Sequence, residues 1–236
     1  MRIQKVGGTN RGAKNPELRS RMVSGFRVIA GGAVEGNASE AKLSDGCKDV
    51  SDALICFTKG TGILTPLGER RIERLRPGDL VQTLDDGLQP IKWIGSHSVR
   101  AGGALAPVRF GRGVIGNHRD LLVSPRHRML CGGDATLAAF GEGEVLAPAK
   151  SLVDDFRVSR VYGGMVTYVH MLFERHQVVI ANGAASESFL PEGAGLEALS
   201  EPARVALAAE LTDIENYGPP SRAVLTAQQA GFLAIA

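Results

Sequence analysis

The chain has 236 residues, of which 44% are hydrophobic and 22% are charged, a composition typical of one globular domain with or without appendages. The formal net charge is only +2, which excludes a strongly basic surface for nucleic acid or for an anionic membrane. No apolar run reaches the ~18 residues of a membrane span, and the first residues lack the apolar core of a secretory leader. We therefore expect no nucleic-acid partner, no membrane span and no cleaved leader.

Residues 1–53 are predicted to be a flexible leader or the end of another unit. They mix Gly, Ser, Asn, Lys and Glu with one short apolar patch around Phe26, Val28 and Ile29. They show no sustained hydrophobic period. We therefore expect the folded domain to begin after them.

The sequence from residue 54 to residue 190 predicts an all-β domain. It consists of short runs of strand type that are separated by Gly, Pro and Asp-Gly turns. Thirty glycines and only 5% aromatic residues indicate many tight turns with aliphatic packing between them. Asp86-Gly87 predicts a hairpin, because both central positions of such a turn favour a positive φ. Gly163-Gly164 predicts a second hairpin.

Residues 191–236 are predicted to form a helical extension. Apolar residues recur at spacings of three and four from Leu196 to Ile214, and a second stretch, SRAVLTAQQAGFLAIA, follows Pro219-Pro220. We therefore expect two terminal helices that flank the sheet.

The three cysteines, Cys47, Cys56 and Cys131, are too few and too scattered for a disulfide framework, and no Cys-x-x-Cys pair indicates zinc. Cys56 stands where the leader gives way to the β domain. Ser124 and His127 lie on a predicted turn after an apolar strand, so that a hydroxyl and an imidazole can project into one cleft. A thiol with these two groups indicates acyl transfer, with a buried structural Cys56 as the alternative. Cys131 is interpreted as a core thiol, and nothing supports a role for Cys47.

Three blocks, in this order, resemble the Hint (Hedgehog/intein) domain family. The first is CFTKGTGILTPLGERRIERLRPGDLVQTLDDG, the second is SPRHRML and the third is VTYVHMLFERHQVVIANGAASESF. Three ordered blocks are far more specific than any one of them. The resemblance covers residues 54–190 and is to a bacterial subgroup without the terminal Asn of splicing inteins. It implies an all-β, horseshoe-like Hint fold with C-terminal helices.

The resemblance also implies roles for individual residues. Cys56 would attack the carbonyl of Ile55 and turn the peptide bond into a thioester. His127 would protonate the leaving nitrogen, with both of its forms available near neutrality at an ordinary pKa of ~6.5. Ser124, in place of the commoner Thr, would position the amide or stabilise charge on the carbonyl. Asp85 matches the position from which Hedgehog-type members activate an external nucleophile, the alternative being a turn residue in Asp-Asp-Gly.

The third block contributes two histidines. His176 matches a position near the active centre of the family, and His170 lies six residues earlier. A regular strand would set both on one face, unless a reversal at Glu174-Arg175 breaks the alternation. A metal site of His127, His170 and His176 is a further alternative, although it lacks a carboxylate or thiolate at ligand spacing.

The end of the third block departs from splicing inteins. Those end in His-Asn before Ser, Thr or Cys, whereas the corresponding stretch here is Ala185-Ser186-Glu187-Ser188 and the chain continues. Asn182-Gly183 is prone to cyclisation, but the family uses this pair as a structural turn. We therefore expect self-cleavage without full splicing, with residues 1–55 as substrate, water or an unknown small nucleophile as acceptor, and no cofactor.

Two other hypotheses stay open. One is a Hint fold that has lost efficient cleavage and serves as a structural or binding cap of a secreted bacterial protein. The other is a cysteine hydrolase that acts on other substrates in trans. Resemblance to the bacterial subgroup favours export by a route that needs no signal peptide. The missing signal peptide alone favours the cytoplasm.

Overall fold

The structure is a computed structural model that describes residues 26–28, 54–197, 199–211, 214 and 216–235. Cys47 and most of the predicted leader lie outside the described residues. Within them, no helix combines the length and the hydrophobicity that a transmembrane span requires.

Strands dominate the described residues. Those of the first half are β1 (Phe26–Val28), β2 (Phe57–Thr58), β3 (Gly62–Thr65), β4 (Gly68–Arg71), β5 (Leu80–Gln82), β6 (Leu88–Pro90), β7 (Trp93–Arg100) and β8 (Val108–Phe110). Those of the second half are β9 (Leu121–Val123), β10 (Arg128–Gly132), β11 (Glu144–Pro148), β12 (Val158–Arg160), β13 (Met165–Leu172), β14 (Val178–Ala181), β15 (Ala184–Glu187), β16 (Ala223–Val224) and β17 (Leu233–Ile235). The α-helices are short: α1 (Asp134–Phe140), α2 (Gly193–Glu197), α3 (Glu201–Glu210) and α4 (Ala227–Ala230). The prediction of an all-β fold is confirmed.

Two larger sheets share one core. One has the strand order β16-β11-β10-β15-β14-β3-β4 and the other has the order β12-β8-β9-β2-β13-β7. Their facing side chains form a single apolar cluster, to which Ile63 and Val179 contribute from the first sheet and Phe57, Phe110 and Val169 from the second. Burial of these aliphatic and aromatic side chains is the main force that holds the sheets together.

Of the two predicted hairpins, the first is present and the second is absent. β5 and β6 are antiparallel neighbours, but their loop runs from Thr83 to Gly87 and only Gly87, at φ 69°, takes the left-handed conformation. The prediction of a hairpin at Gly163-Gly164 is wrong. Both glycines have positive φ, yet β12 pairs with β8 whereas β13 pairs with β2 and β7. The glycines therefore make a turn between strands that are not neighbours.

The C-terminal extension is only partly helical. α2 and α3 occupy the first predicted helical stretch, whereas the prediction of a helix over SRAVLTAQQAGFLAIA is wrong. A capping box at Thr226 starts the one-turn helix α4, which ends at Ala230 with Gly231 as its C-cap, and strands flank it on both sides. The last strand, β17, pairs with β1. Residues Phe26–Val28 of the predicted flexible leader are therefore ordered against the end of the chain.

Candidate active site

Cys56 directly precedes β2, the short strand between β9 and β13 in the six-stranded sheet. Phe57 of this strand pairs with Val123 on one side and Val169 on the other. Cys56 is 1% exposed, and Ile55 and Leu54 before it are also buried. The Ile55–Cys56 peptide bond is therefore fixed at the start of a central strand.

Ser124 holds this peptide from one side. Its hydroxyl accepts a hydrogen bond from the Cys56 backbone N–H at 2.9 Å and donates one to the Leu54 carbonyl at 2.6 Å. Its own backbone N–H donates to the Cys56 carbonyl at 2.9 Å. Because these bonds reach the residues on both sides of Ile55, Ser124 fixes the orientation of the Ile55–Cys56 peptide group.

His170 approaches the same peptide from β13. Its Nδ1 lies 3.1 Å from the Ile55 carbonyl oxygen, and the Cys56 sulfur lies 3.5 Å from both ring nitrogens. In the tautomer that carries its proton on Nδ1, the ring donates to the Ile55 carbonyl while Nε2 remains free to accept the thiol proton. One neutral imidazole can therefore polarise the carbonyl and act as base for the thiol.

Burial keeps both partners neutral at rest. It lowers the pKa of His170 to about 3, to which the neighbouring His97 contributes, whereas the hydrogen bond to Ile55 opposes the shift. It also raises the pKa of the Cys56 thiol well above its usual value, and Ser124 offsets this only in part. The His97 ring stacks on the His170 ring at a centroid distance of 5.3 Å, and the Phe189 ring meets the His170 ring edge-on at a centroid distance of 5.0 Å. The resting site thus holds a thiol and an imidazole rather than an ion pair.

His127 lies beside Phe57, the residue after Cys56. Its ring meets the Phe57 ring edge-on at a centroid distance of 4.4 Å, and neither of its buried nitrogens has a hydrogen-bond partner among the described residues. Burial lowers the pKa of His127 to about 4, and the carboxylate of Glu187 opposes the shift. The expectation that both forms of this imidazole are available near neutrality is therefore wrong, because desolvation favours the neutral form.

His176 belongs to a separate buried group. Its Nε2 lies 3.3 Å from a Glu187 carboxylate oxygen, and its Nδ1 accepts a hydrogen bond from the Ser221 backbone N–H at 3.0 Å. Glu187 also accepts from the backbone N–H and the guanidinium of Arg128. Because β13 ends at Leu172, His170 and His176 do not share a regular strand. Glu187 and His176 have opposite effects on the pKa of His127, which the Glu187 carboxylate raises and His176 lowers.

Asp85 pairs with the C-terminal extension. Its carboxylate accepts from the guanidinium of Arg222 at 2.7 Å, and the same guanidinium donates to Glu144 at 2.7 Å. Both side chains of the Asp85–Arg222 pair are less than one-fifth exposed. This ion-pair group joins the β5–β6 loop and β11 to the segment that leads into β16.

No three His, Cys, Asp or Glu side chains of the described residues come together as a possible metal-binding group. His127, His170 and His176 instead have separate neighbours. A cavity of about 560 Å³ opens at Ile55. Its lining includes three basic side chains, Arg126, Arg128 and Lys150, and one acidic side chain, Glu192.

His170 is the residue whose position the sequence did not predict, since it entered only as a strand histidine of the third block and as one ligand of the alternative metal site. Tyr168 pairs with Thr58 and Val169 with Phe57 in the antiparallel register of β13 and β2. Continuing that register by one residue sets His170 opposite Cys56. The alternation of side chains along β13 was the sequence signal for the position of His170. It predicts that position only when β2 is known to be the partner strand.

Comparison with known proteins shows the family to which the chain belongs. The family model described as "Hint domain" matches residues 55–193. No curated relative matches the chain. Similar solved structures include a bacterial intein-like domain from Clostridium thermocellum, 14% identical over 58% of this chain and 99% of that one, with a TM-score of 0.41. The gp41-1 intein is 12% identical over 56% and 96% of the two chains with a TM-score of 0.36, and the MchDnaB-1 intein is 11% identical over 56% and 99% with a TM-score of 0.38. Since the family model matches more than half of its residues, the chain belongs to the Hint domain family.

Proposed function

We propose that this protein cleaves its own chain between Ile55 and Cys56 through a thioester. One observation carries the proposal: the Cys56 thiol, the His170 imidazole and the Ser124 hydroxyl all contact the Ile55–Cys56 peptide or its immediate neighbour. These are a nucleophile, a base with a carbonyl donor, and a group that orients the amide.

The first step forms the bond between sulfur and carbon. As Sγ of Cys56 attacks the carbonyl carbon of Ile55, its proton passes to Nε2 of His170. The carbonyl oxygen becomes an oxyanion that accepts the hydrogen bond from Nδ1 of His170. Formation of the imidazolium strengthens this bond, because a charged donor binds an oxyanion more tightly than a neutral one.

The second step breaks the carbon–nitrogen bond. The Cys56 nitrogen leaves as an amine and needs one proton, which the imidazolium form of His127 supplies. A His127 with a pKa of about 4 is a strong acid when it is protonated, and the Glu187 carboxylate favours its charged form. The products are a thioester between Ile55 and the Cys56 sulfur and a free amine on Cys56. His127, left neutral, and His170, left protonated, return to their resting states by proton exchange.

Resolution of the thioester breaks the covalent link between residues 1–55 and the rest of the chain. Water or a small nucleophile attacks the Ile55 carbonyl carbon, the Cys56 sulfur leaves as a thiolate and then regains a proton. The cavity that Ile55 lines is the route by which we expect the acceptor to enter, and its basic side chains favour an acceptor that carries negative charge.

Full splicing is not part of the proposal. The side-chain amide of Asn182 makes three structural hydrogen bonds. Its oxygen accepts from the Gly62 backbone N–H at 2.7 Å and from the Arg119 side chain at 2.9 Å, and its nitrogen donates to the Asp120 carbonyl at 2.9 Å. An amide held by three hydrogen bonds cannot turn onto its own carbonyl and cyclise without breaking them. The turn function of Asn182, at φ 48°, accounts for its presence.

A Hint fold that cleaves poorly and acts as a cap is the second candidate function. The neutral thiol and the two imidazoles with lowered pKa values favour it, because each must change its charge for the reaction to start. Action on substrates in trans is disfavoured by the 1% exposure of Cys56.

The test is incubation of the purified full-length chain with hydroxylamine, followed by mass spectrometry. We expect fragments of residues 1–55 and 56–236 from the parent chain and none from Cys56→Ala. Cys131→Ala is the matched control, since this second buried thiol lies in β10 and its loss should leave the cleavage site unchanged. His170→Gln should slow thioester formation by about 10²–10⁴-fold. An uncleaved parent chain would support the cap instead.

A further inference from the structure

The part of the chain that cleavage would release is attached to the rest at two described places. We propose that residues 1–55 stay bound to residues 56–236 after the Ile55–Cys56 bond is broken, so that the product is a complex of two fragments. The inference rests on the proposed function for the position of the break, whereas the attachments themselves do not depend on it.

The first attachment is the pairing of β1 with β17. Phe26 lies opposite Ile235 and Arg27 opposite Ala234 in an antiparallel register. The Phe26 side chain packs against the main apolar core, to which Leu233 and Ile235 of β17 also belong. The Ile235 carbonyl accepts a hydrogen bond from Arg157 at 2.8 Å, which ties β17 to the turn before β12.

The second attachment is formed by the last two residues of the released segment. Leu54 packs with Tyr168, and its carbonyl accepts the hydrogen bond from Ser124. Ile55 packs in another apolar cluster, with Trp93 and other residues around it. None of these contacts uses the bond that breaks.

Cleavage also creates a charge that suits this position. Hydrolysis leaves a carboxylate on Ile55, which lines the cavity with Arg126, Arg128, Lys150 and one acidic residue. When Glu187, which pairs with Arg128, is counted with Glu192, three basic groups stand against two acidic ones, and this excess of positive charge attracts the new negative charge. The two attachments lie on one fragment, so that the binding of one raises the effective concentration of the other to the millimolar range, on the order of 10⁻³ M.

The β1 attachment is tested without any cysteine chemistry. A site for a specific protease is inserted after Glu40 in the full-length Cys56→Ala chain, and the folded protein is cut there. We expect residues 1–40 to coelute with the remainder in size-exclusion chromatography at micromolar concentration and to give one mass in native mass spectrometry. Separation of the two fragments would overturn the inference.

Side-chain variants then locate the contact. Phe26→Asp, a change on the departing fragment that leaves the remainder intact, should accelerate dissociation at least about tenfold. Arg27→Asp is the matched control, because Arg27 is exposed on the same strand and its loss should leave retention unchanged. Equal retention in Phe26→Asp and the parent would overturn the assignment to β1.

Self-cleavage of the parent chain completes the test. Fragments 1–55 and 56–236 should coelute after cleavage, and their separation would overturn the inference. If the parent chain is never cleaved while the nicked Cys56→Ala chain keeps its fragment, the proposed function fails and the attachment stands.

Discussion

Lowering the pH from about 8 to about 5 should accelerate thioester formation about tenfold per pH unit. His127 has a pKa of about 4, so about one molecule in 10⁴ carries the imidazolium at pH 8 and about one in 10 does so at pH 5. His170, with a pKa of about 3, stays neutral over this range, and the Cys56 thiol, with its raised pKa, stays protonated. His127 is therefore the one group of the proposed mechanism that titrates.

The rate is measured by trapping the thioester with hydroxylamine at concentrations where the rate no longer depends on the trap. Circular dichroism at each pH confirms that the chain remains folded. His127→Gln should lose both rate and pH dependence, because the amide cannot carry the proton. A parent rate that levels off below about pH 6 would show an imidazole with an ordinary pKa. A rate that is flat from about pH 8 to about pH 5 would remove His127 from the role of acid.

Further variants test the burial of His127 and the contacts of Ser124 and Asp85. In the Cys56→Ala chain, the free energy of unfolding should fall as the pH drops from about 6.5 towards 4, because burial lowers the pKa values of His127 and His170; the share of His127 is roughly 3 kcal/mol, and in a denaturant titration His127→Leu should remove that share. An unchanged slope would contradict the burial argument. Ser124→Ala should slow thioester formation by about 10²-fold in the trapping assay, because the Ile55–Cys56 peptide loses the hydroxyl that orients it. Ser124→Thr should retain activity, and a fully active Ser124→Ala chain would show that the peptide does not need this hydroxyl for its orientation. Asp85→Asn should lower the free energy of unfolding by about 1–3 kcal/mol, through its Arg222 pair, with thioester hydrolysis unchanged; a loss of hydrolysis at full stability would instead assign Asp85 to activation of the acceptor.

The all-β class could be predicted because its signals are local. Short apolar runs and Gly turns determine strands whatever their partners are. The placement of Ser124 next to Cys56 depended on the resemblance of the blocks rather than on any period. The two failed predictions of secondary structure needed knowledge of a partner strand. Gly163-Gly164 bends the chain, but nothing in the adjacent residues says that β12 pairs with β8.

Long-range pairing also explains why the sequence predicted neither the position of His170 nor the strand Leu233–Ile235. His170 follows Cys56 by 114 residues, and its position opposite the thiol is a property of the β2–β13 register. Residues Leu233–Ile235 form a strand because β1 pairs with their backbone, a partner that helical spacing cannot reveal. The lowered pKa of His127 likewise comes from complete burial between elements distant in sequence.

The proposed self-cleavage depends on one step, the conversion of the Ile55 carbonyl into a thioester of Cys56. The most direct measurement is tandem mass spectrometry of the N-terminal fragment that hydroxylamine releases from the full-length chain. We expect residues 1–55 with a hydroxamic acid on the Ile55 carbonyl, from the parent chain and not from Cys56→Ala. An intact parent chain, a hydroxamate at another residue, or the same fragment from Cys56→Ala would contradict the claim.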